Sequence, residues 1–223
     1  MSKKYVRKNG RGAIGPAKIT SALSLAGLSG TGLKLVIEGR TNDSDNLEMI
    51  RKIEMIILAV ASGQYVVSWS MSYNRLQRWR YVDWIITTPL LLRTFHLLAV
   101  EKGFDKPFLP AFSWNMLMIW AGYLSEFPNT KRPQTISRHS LYILSTVAMI
   151  FIFREVKEWD DYLKSKGVDT GRLPYFFYLG WTAYGLNFLN PDEELRQTTF
   201  NILDFVNKGL YSFEIQKVIR ENF

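Results

Sequence analysis

The hydrophobic pattern of the chain is organised in long blocks rather than in short alternating runs. Residues 55–74, 107–125 and 173–191 carry no charge, and each is close to the ~20 residues that a helix needs to cross the hydrocarbon core of a bilayer. Blocks of similar length with few charges lie between them. Reading both kinds as helices predicts seven, at about 18–37, 50–73, 79–100, 108–125, 138–159, 173–189 and 197–218. The connections left over are short and carry turn chemistry. Residues 38–46 are polar and include Gly39, residues 129–133 cluster Asn, Thr and Pro, and residues 164–172 contain Gly167 and Gly171. No internal repeat interrupts the pattern. The expected fold is an all-α membrane protein, a single seven-helix transmembrane bundle over residues 1–223.

Composition refines this picture. Of 223 residues, 47% are hydrophobic and 14% aromatic, enough burial to exclude disorder. The mean hydropathy of −0.06 looks soluble only because charges gather outside the blocks. There is no cysteine, which excludes a disulfide framework, a thiolate metal site and a cysteine nucleophile. With His96 and His139 the only histidines, a histidine metal cluster is excluded as well, and no metal is expected. A net charge of +8 would suit nucleic acid, but Lys and Arg sit mainly at the ends of the apolar blocks. That pattern anchors helices at membrane interfaces, so the expected partner is a lipid bilayer and not nucleic acid. The basic start from Lys3 to Arg11 is followed by a Gly-, Ser- and Thr-rich segment, not the dense apolar core of a secretory signal, so the first helix is expected to stay in the mature protein. Basic residues are nearly balanced between the two sets of connections and leave the orientation open.

Ionisable residues inside the predicted helices carry the chemistry. Lys34, Glu54, Asp83, Arg93, Asp204 and Lys208 each cost several kcal/mol in lipid unless paired or turned to an internal cavity. Lys34 and Arg93 are read as snorkelling to an interface; the rest are functional candidates. On the third helix Arg80, Asp83, Trp84 and Thr87 share one face, and Thr94, eleven residues beyond Asp83, returns to it three turns on. On the seventh, Asp204 and Lys208 stand four residues apart, a carboxylate one turn from an amine. Two carboxylates, an arginine and a lysine cannot face lipid, so these faces should pack together around a wet or cofactor-filled interior. A lysine held there can form a Schiff base with an aldehyde, and two carboxylates would stabilise its cationic form. A structural ion pair is the plainer reading of the same residues.

The order Arg80, Tyr81, Val82, Asp83, Trp84, then Thr87, Thr88, Pro89, Leu90, Leu91, with Leu203, Asp204, Lys208 and Gly209 on the last helix, strongly resembles the microbial (type 1) rhodopsins. The resemblance spans nearly the whole chain, is proton-pump-like, and has features of viral members. It implies all-trans retinal bound as a Schiff base to Lys208, with Asp83 as primary counterion and proton acceptor and Asp204 as the second carboxylate. Arg80 would hold water and both carboxylates in place on the extracellular side, and Thr87 would complete the polar wall. Pocket positions implied are Trp84, Thr88 and Leu91 on the third helix, Met118 on the fourth, Tyr142, Ser145 and Met149 on the fifth, Trp181, Tyr184 and Phe188 on the sixth, and Tyr65 on the second. Trp84 and Trp181 would form opposite walls and Tyr184 would bond towards Asp204. Gly122, Tyr123, Leu124 and Glu126 are similar to the proteorhodopsin branch. The N-terminus would lie outside and the C-terminus in the cytoplasm, in a homo-oligomer, a trimer or pentamer. The implied activity is light-driven ion transport and not enzymatic catalysis.

Departures from the family pattern are as informative. Gly185 stands where a proline is usual, and Phe188 and Tyr142 stand where tryptophans are common. Leu91 is the residue type associated with green absorption, while Asn207 beside the lysine is an unusual polar neighbour. Thr94 occupies the position from which a carboxylate reprotonates the Schiff base in outward proton pumps, and a hydroxyl cannot supply that proton near neutral pH. Glu54 offers a replacement. It lies eleven residues from Tyr65 on the same face, ~16 Å to the cytoplasmic side of the Schiff base, as does Thr94 on the oppositely directed third helix. As a relocated donor it would complete an outward proton pump; the plainer reading pairs it with Arg51 or Lys52. A light-gated cation channel is the alternative, favoured by Glu54, Asn207, Arg93 and Lys34. A photosensory rhodopsin signalling through a partner is the third, for which the chain shows neither a fused signalling domain nor a long tail after Phe223. Asp83 disfavours chloride pumping, and the lack of the usual Asn and Gln on the third helix disfavours sodium pumping.

Overall fold

The computed structural model describes residues 16–37, 44–127 and 137–223. Among them seven helices follow one another, with no strand: α1 (Pro16–Ile37), α2 (Asp45–Ser68), α3 (Tyr73–Glu101), α4 (Leu109–Glu126), α5 (Arg138–Ser165), α6 and α7. α6 runs without a break through Leu173–Tyr175, a π-helical stretch Phe176–Trp181 and Thr182–Asn187. α7 does the same through Glu193–Asp204, π-helical Phe205–Leu210 and Tyr211–Asn222.

Helix boundaries move where charges look like loop in the sequence. α2 begins at Asp45 because the Ser44 hydroxyl accepts the Leu47 N–H at 3.4 Å, and Asp45 and Glu48 occupy the first turn. Acidic side chains there complement the positive end of the helix dipole, so Asp45 and Asn46 are helix rather than connection. α2 ends at Ser68 and α3 already starts at Tyr73. α5 continues beyond 159 to Ser165, supported by the i,i+4 pairs Lys157–Asp161 and Lys164–Asp160, both 2.7 Å. In α7, Asp192 caps the Leu195 N–H at 2.8 Å, and the helix begins at Glu193, four residues before the expected start. Gly39 and the cluster at 129–133 lie outside the described residues. Gly167 meets its expectation: with φ at +78° it ends α5, and the Val168 N–H turns back to the Leu163 carbonyl at 3.0 Å.

Consecutive helices are neighbours, α7 packs back on α1, and α3 also touches α5, so the bundle closes on itself. Its polarity is inverted relative to a water-soluble bundle. Leu23, Leu33, Val66, Ile143, Leu179 and Leu189 are 61–68% exposed, while Glu54, Arg80, Thr87, Thr94, Asp204 and Ser212 are fully buried. An apolar exterior of this kind suits lipid. By length and apolarity together, one described helix, Arg138–Ser165, qualifies as a membrane span. α6 is too short, since it spans only residues 173–187, and the first half of α2 carries Asp45, Glu48, Arg51, Lys52 and Glu54. Inside, the two π-helical stretches come close enough that a Cβ on Gly180 would fall on the Asn207 amide. Only glycine permits that approach.

Candidate functional site

α7 carries Gln197, Asn201, Asp204, Lys208 and Ser212 at spacings of three and four, so they share one face, and all five are buried. The face of α3 with Arg80, Asp83, Trp84, Thr87 and Thr94 meets it. Lys208 Nζ donates to Asp83 Oδ2 and lies 3.5 Å from Asp204 Oδ1. Asp204 is the hub, accepting from Arg80 Nη1 at 2.7 Å, the Tyr184 hydroxyl at 2.6 Å, the Tyr65 hydroxyl at 2.9 Å and the Trp84 indole at 3.5 Å. Two buried cations thus face two buried carboxylates. Balanced pairing with further hydrogen bonds is the condition under which charges persist in a low-dielectric interior.

Arg80 reaches one carboxylate, not both. Its Nη1 goes to Asp204, while Nε and Nη2 bind Gln197 Oε1 at 3.0 and 2.7 Å and Nη2 also binds Asn201 Oδ1. Its direct carboxylate contact is with Asp204, neutral amides on α7 take its remaining donors, and Asp83 pairs with Lys208. Asn201 in turn donates to the Ala17 carbonyl at 2.9 Å and to Thr20 and Ser21 at 3.0 and 2.9 Å, which ties the arginine to α1. Gln197 and Asn201 went unnoticed in the sequence, although they continue the stripe of Asp204 one and two turns back. Thr87 sits on the expected face, its hydroxyl donating to the Asp83 backbone carbonyl at 3.0 Å. Thr94 donates to the Leu91 carbonyl at 2.8 Å and meets the Tyr211 hydroxyl at 2.9 Å.

Beside Lys208 opens a cavity walled mainly by aromatic, aliphatic and thioether side chains, the kind of lining that small-molecule sites have. Trp84, Thr88 and Leu91 of α3 line it, with Met118 and Gly122 of α4, Tyr142, Ser145 and Met149 of α5, and Trp181, Tyr184 and Gly185 of α6, followed by Phe188. Among the described residues Lys208 is the one charged side chain on its wall. Three polar lining groups are spent internally. Thr88 donates to Asn115 at 3.0 Å, Ser145 to the Met118 carbonyl at 2.8 Å, and Tyr142 to the Gly185 carbonyl at 3.1 Å. Tyr65 is the pocket expectation that fails: it does not line the cavity, because its hydroxyl is turned to Asp204.

The family model of the bacteriorhodopsin-like proteins matches residues 17–221. The chain belongs to this family. Viral rhodopsin OLPVRII shares the fold at a TM-score of 0.76 and 22% identity, covering 93% of this chain and 99% of that one. The light-driven proton pump LR (Mac) from Leptosphaeria maculans gives 0.74 and 20%, covering 95% and 98%. Halorhodopsin, a light-driven chloride pump, gives 0.78 and 16%, covering 97% and 98%. No curated protein sequence matches the chain. Family members are integral membrane proteins of seven helices that bind retinal through a Schiff base to a lysine, and the family is made up of light-driven ion transporters and photoreceptors. The residues of this rhodopsin fit the cofactor. A long apolar cavity wall of aromatic and thioether side chains closes on one buried amine, and Asp83 Oδ1 has no hydrogen-bond partner among the described residues.

On the side of Lys208 away from Arg80 lies a second polar group. Glu54 is fully buried, and the Ser212 hydroxyl donates to its Oε2 while also lying 2.7 Å from the Lys208 carbonyl. Thr94 also bears on this carboxyl, so Glu54 and Thr94 are neighbours as their levels along the two helices require. Lys52, one of the partners in the plainer reading, is paired with Glu48 at 2.6 Å instead. Lys34 stands over the Phe213 ring at 4.9 Å, and Arg93 bonds His96 at 2.9 Å over Phe108. Neither reaches the site.

Proposed function

We propose that this rhodopsin is a light-driven outward proton pump in which Lys208 bears retinal, Asp83 accepts the proton and Asp204 remains a fixed negative charge. The observation that carries the reading is the contact between Lys208 Nζ and Asp83 Oδ2 at the end of the aromatic cavity. Bound to Lys208, all-trans retinal supplies light absorption and a change of shape. Trp84 and Trp181 would hold it and, with Met118 and Met149, would exclude water from the cavity they line. Asp83 Oδ2 takes the proton from Lys208 Nζ over a single hydrogen bond. Asp204 keeps its charge throughout, because Arg80, Tyr65 and Tyr184 all donate to it and donors fixed in advance cost no reorganisation when charge moves nearby. Glu54 then returns a proton towards Lys208 Nζ from the opposite side, the role that a hydroxyl at Thr94 cannot fill. In this arrangement the Arg80 end of the bundle is extracellular, with the start of α1 outside and the end of α7 in the cytoplasm. Assembly into a homo-oligomer belongs to the same proposal.

A light-gated cation channel is the second reading. What favours it is polarity on α2 beyond the needs of a pump: the Gln64 amide is buried with neither its oxygen nor its nitrogen hydrogen-bonded to a described residue. Photocurrent measured against voltage separates the two. A pump gives outward current of one sign across the range, whereas a current that reverses at the equilibrium potential of an ion refutes pumping.

A further inference from the structure

Among the described residues Ser212 is the one hydroxyl that touches both the Glu54 carboxyl on α2 and the turn of α7 that carries Lys208. Its Oγ donates to Glu54 Oε2 and lies 2.7 Å from the Lys208 carbonyl, and it is fully buried. The other oxygen of Glu54, Oε1, makes no hydrogen bond to a described residue, so the orientation of the carboxyl hangs on Ser212, with Thr94 on its flank. Thr94 is itself occupied by the Leu91 carbonyl and by Tyr211, the residue preceding Ser212. Tyr211 is fixed among Phe176 and Phe177 with ring centroids at 5.7 and 5.6 Å, and its hydroxyl reaches the Leu91 carbonyl at 3.2 Å. Two adjacent residues of α7 therefore hold the two candidate positions of a cytoplasmic proton group, Glu54 on α2 and Thr94 on α3. Both follow directly on the π-helical stretch Phe205–Leu210 that contains the lysine.

We propose that Ser212 is a positioning residue that couples Glu54 to the lysine-bearing turn of α7, so that the carboxyl is aimed by the same segment it must reprotonate. The proposal rests on the reading of Glu54 as donor. A serine in a membrane helix often bonds back to the carbonyl four residues earlier for local reasons alone, and the Lys208 carbonyl is the acceptor of that kind that competes with Glu54 for the single Ser212 proton. The bond to Glu54 is not local, and it is the one a test must address.

The test compares wild type with Glu54→Gln, Ser212→Ala and Ser212→Thr, each as the full chain. The first readout is the infrared carbonyl band of the protonated Glu54 carboxyl in the retinal-free protein, identified as the band that Glu54→Gln removes. Loss of a donated hydrogen bond raises the frequency of such a band, so Ser212→Ala shifts it upward and Ser212→Thr, which keeps the hydroxyl, restores it. The second readout is the rate at which the deprotonated photointermediate decays in the retinal-loaded protein. Removing the one hydrogen bond slows it roughly tenfold in Ser212→Ala, with recovery in Ser212→Thr. An unmoved band in Ser212→Ala overturns the proposal, as does unchanged decay in that variant while Glu54→Gln is slow. If Glu54→Gln itself decays at the wild-type rate, the donor reading falls and takes this one with it.

Discussion

Replacing Asp204 with Asn removes the charge at the hub of the site while nearly preserving its shape. In the native bundle Arg80 and Lys208 face Asp83 and Asp204, all four buried. After Asp204→Asn two cations confront one carboxylate, and Arg80 keeps only the neutral oxygens of Gln197 and Asn201. Breaking a buried pair from one side costs about 3–5 kcal/mol, most of it the penalty of the charge left behind. Arg80→Gln leaves Asp204 its bonds from Tyr65, Tyr184 and Trp84 and Lys208 at 3.5 Å, and should cost less. The double variant strands neither, since Lys208 and Asp83 still pair, so its cost should fall below the sum of the singles by about 2 kcal/mol or more. The assay is unfolding of the retinal-free protein in mixed detergent micelles for all four members of the cycle. Strict additivity would falsify the claim that these two side chains act as one buried pair.

Other outcomes follow from single contacts. Lys208→Ala should give no visible absorption band with all-trans retinal while remaining folded by circular dichroism; a retained band would remove the cofactor assignment. Gly180→Val drives a side chain into the Asn207 amide and should destabilise by about 1–3 kcal/mol. Gly185→Ala, where an added Cβ meets nothing within 4 Å, should stay within about 0.5 kcal/mol, and equal effects in the same unfolding assay would contradict the packing of α6 on α7. In a Glu54→Gln background, Thr94→Asp puts a carboxyl back beside position 54 and should recover most of the lost reprotonation rate. No recovery would mean that the two positions do not share a proton path.

The chemistry of α3 and α7 was legible in the sequence for a physical reason. Ionisable groups are so costly in lipid that the few tolerated must point inward, and helical spacing then tells which of them share a face. Gln197 and Asn201 escaped because neutral amides are cheap enough not to stand out, although they lie on the same stripe. The actual partners of Arg80 were not legible, since they depend on how far α7 sits from α3 and not on spacing within either helix. The start of α2 was misread for the opposite reason: Asp45 and Glu48 are charged because they complement a helix end, not because they leave the helix. The π-helical stretches have no periodic signature at all. They require the fit of Asn207 against Gly180, a contact between positions 27 residues apart in the chain.

Moving a carboxyl from α3 to α2 changes more than its address. On α3 it would share a helix with Asp83, and its distance to Lys208 would be set by the packing of α3 on α7, the same contact that sets the Lys208–Asp83 pair. On α2 it leans on α7 through Ser212, so in the proposed pumping mechanism acceptor and donor are referred to the lysine by two different helix contacts. Each can then be perturbed alone: a variant that loosens α3 acts first on Asp83, and one that loosens α2 acts first on Glu54. Thr94 and Tyr211 join the two sides, which makes that hydroxyl pair the point at which independent control of the two proton steps would be lost.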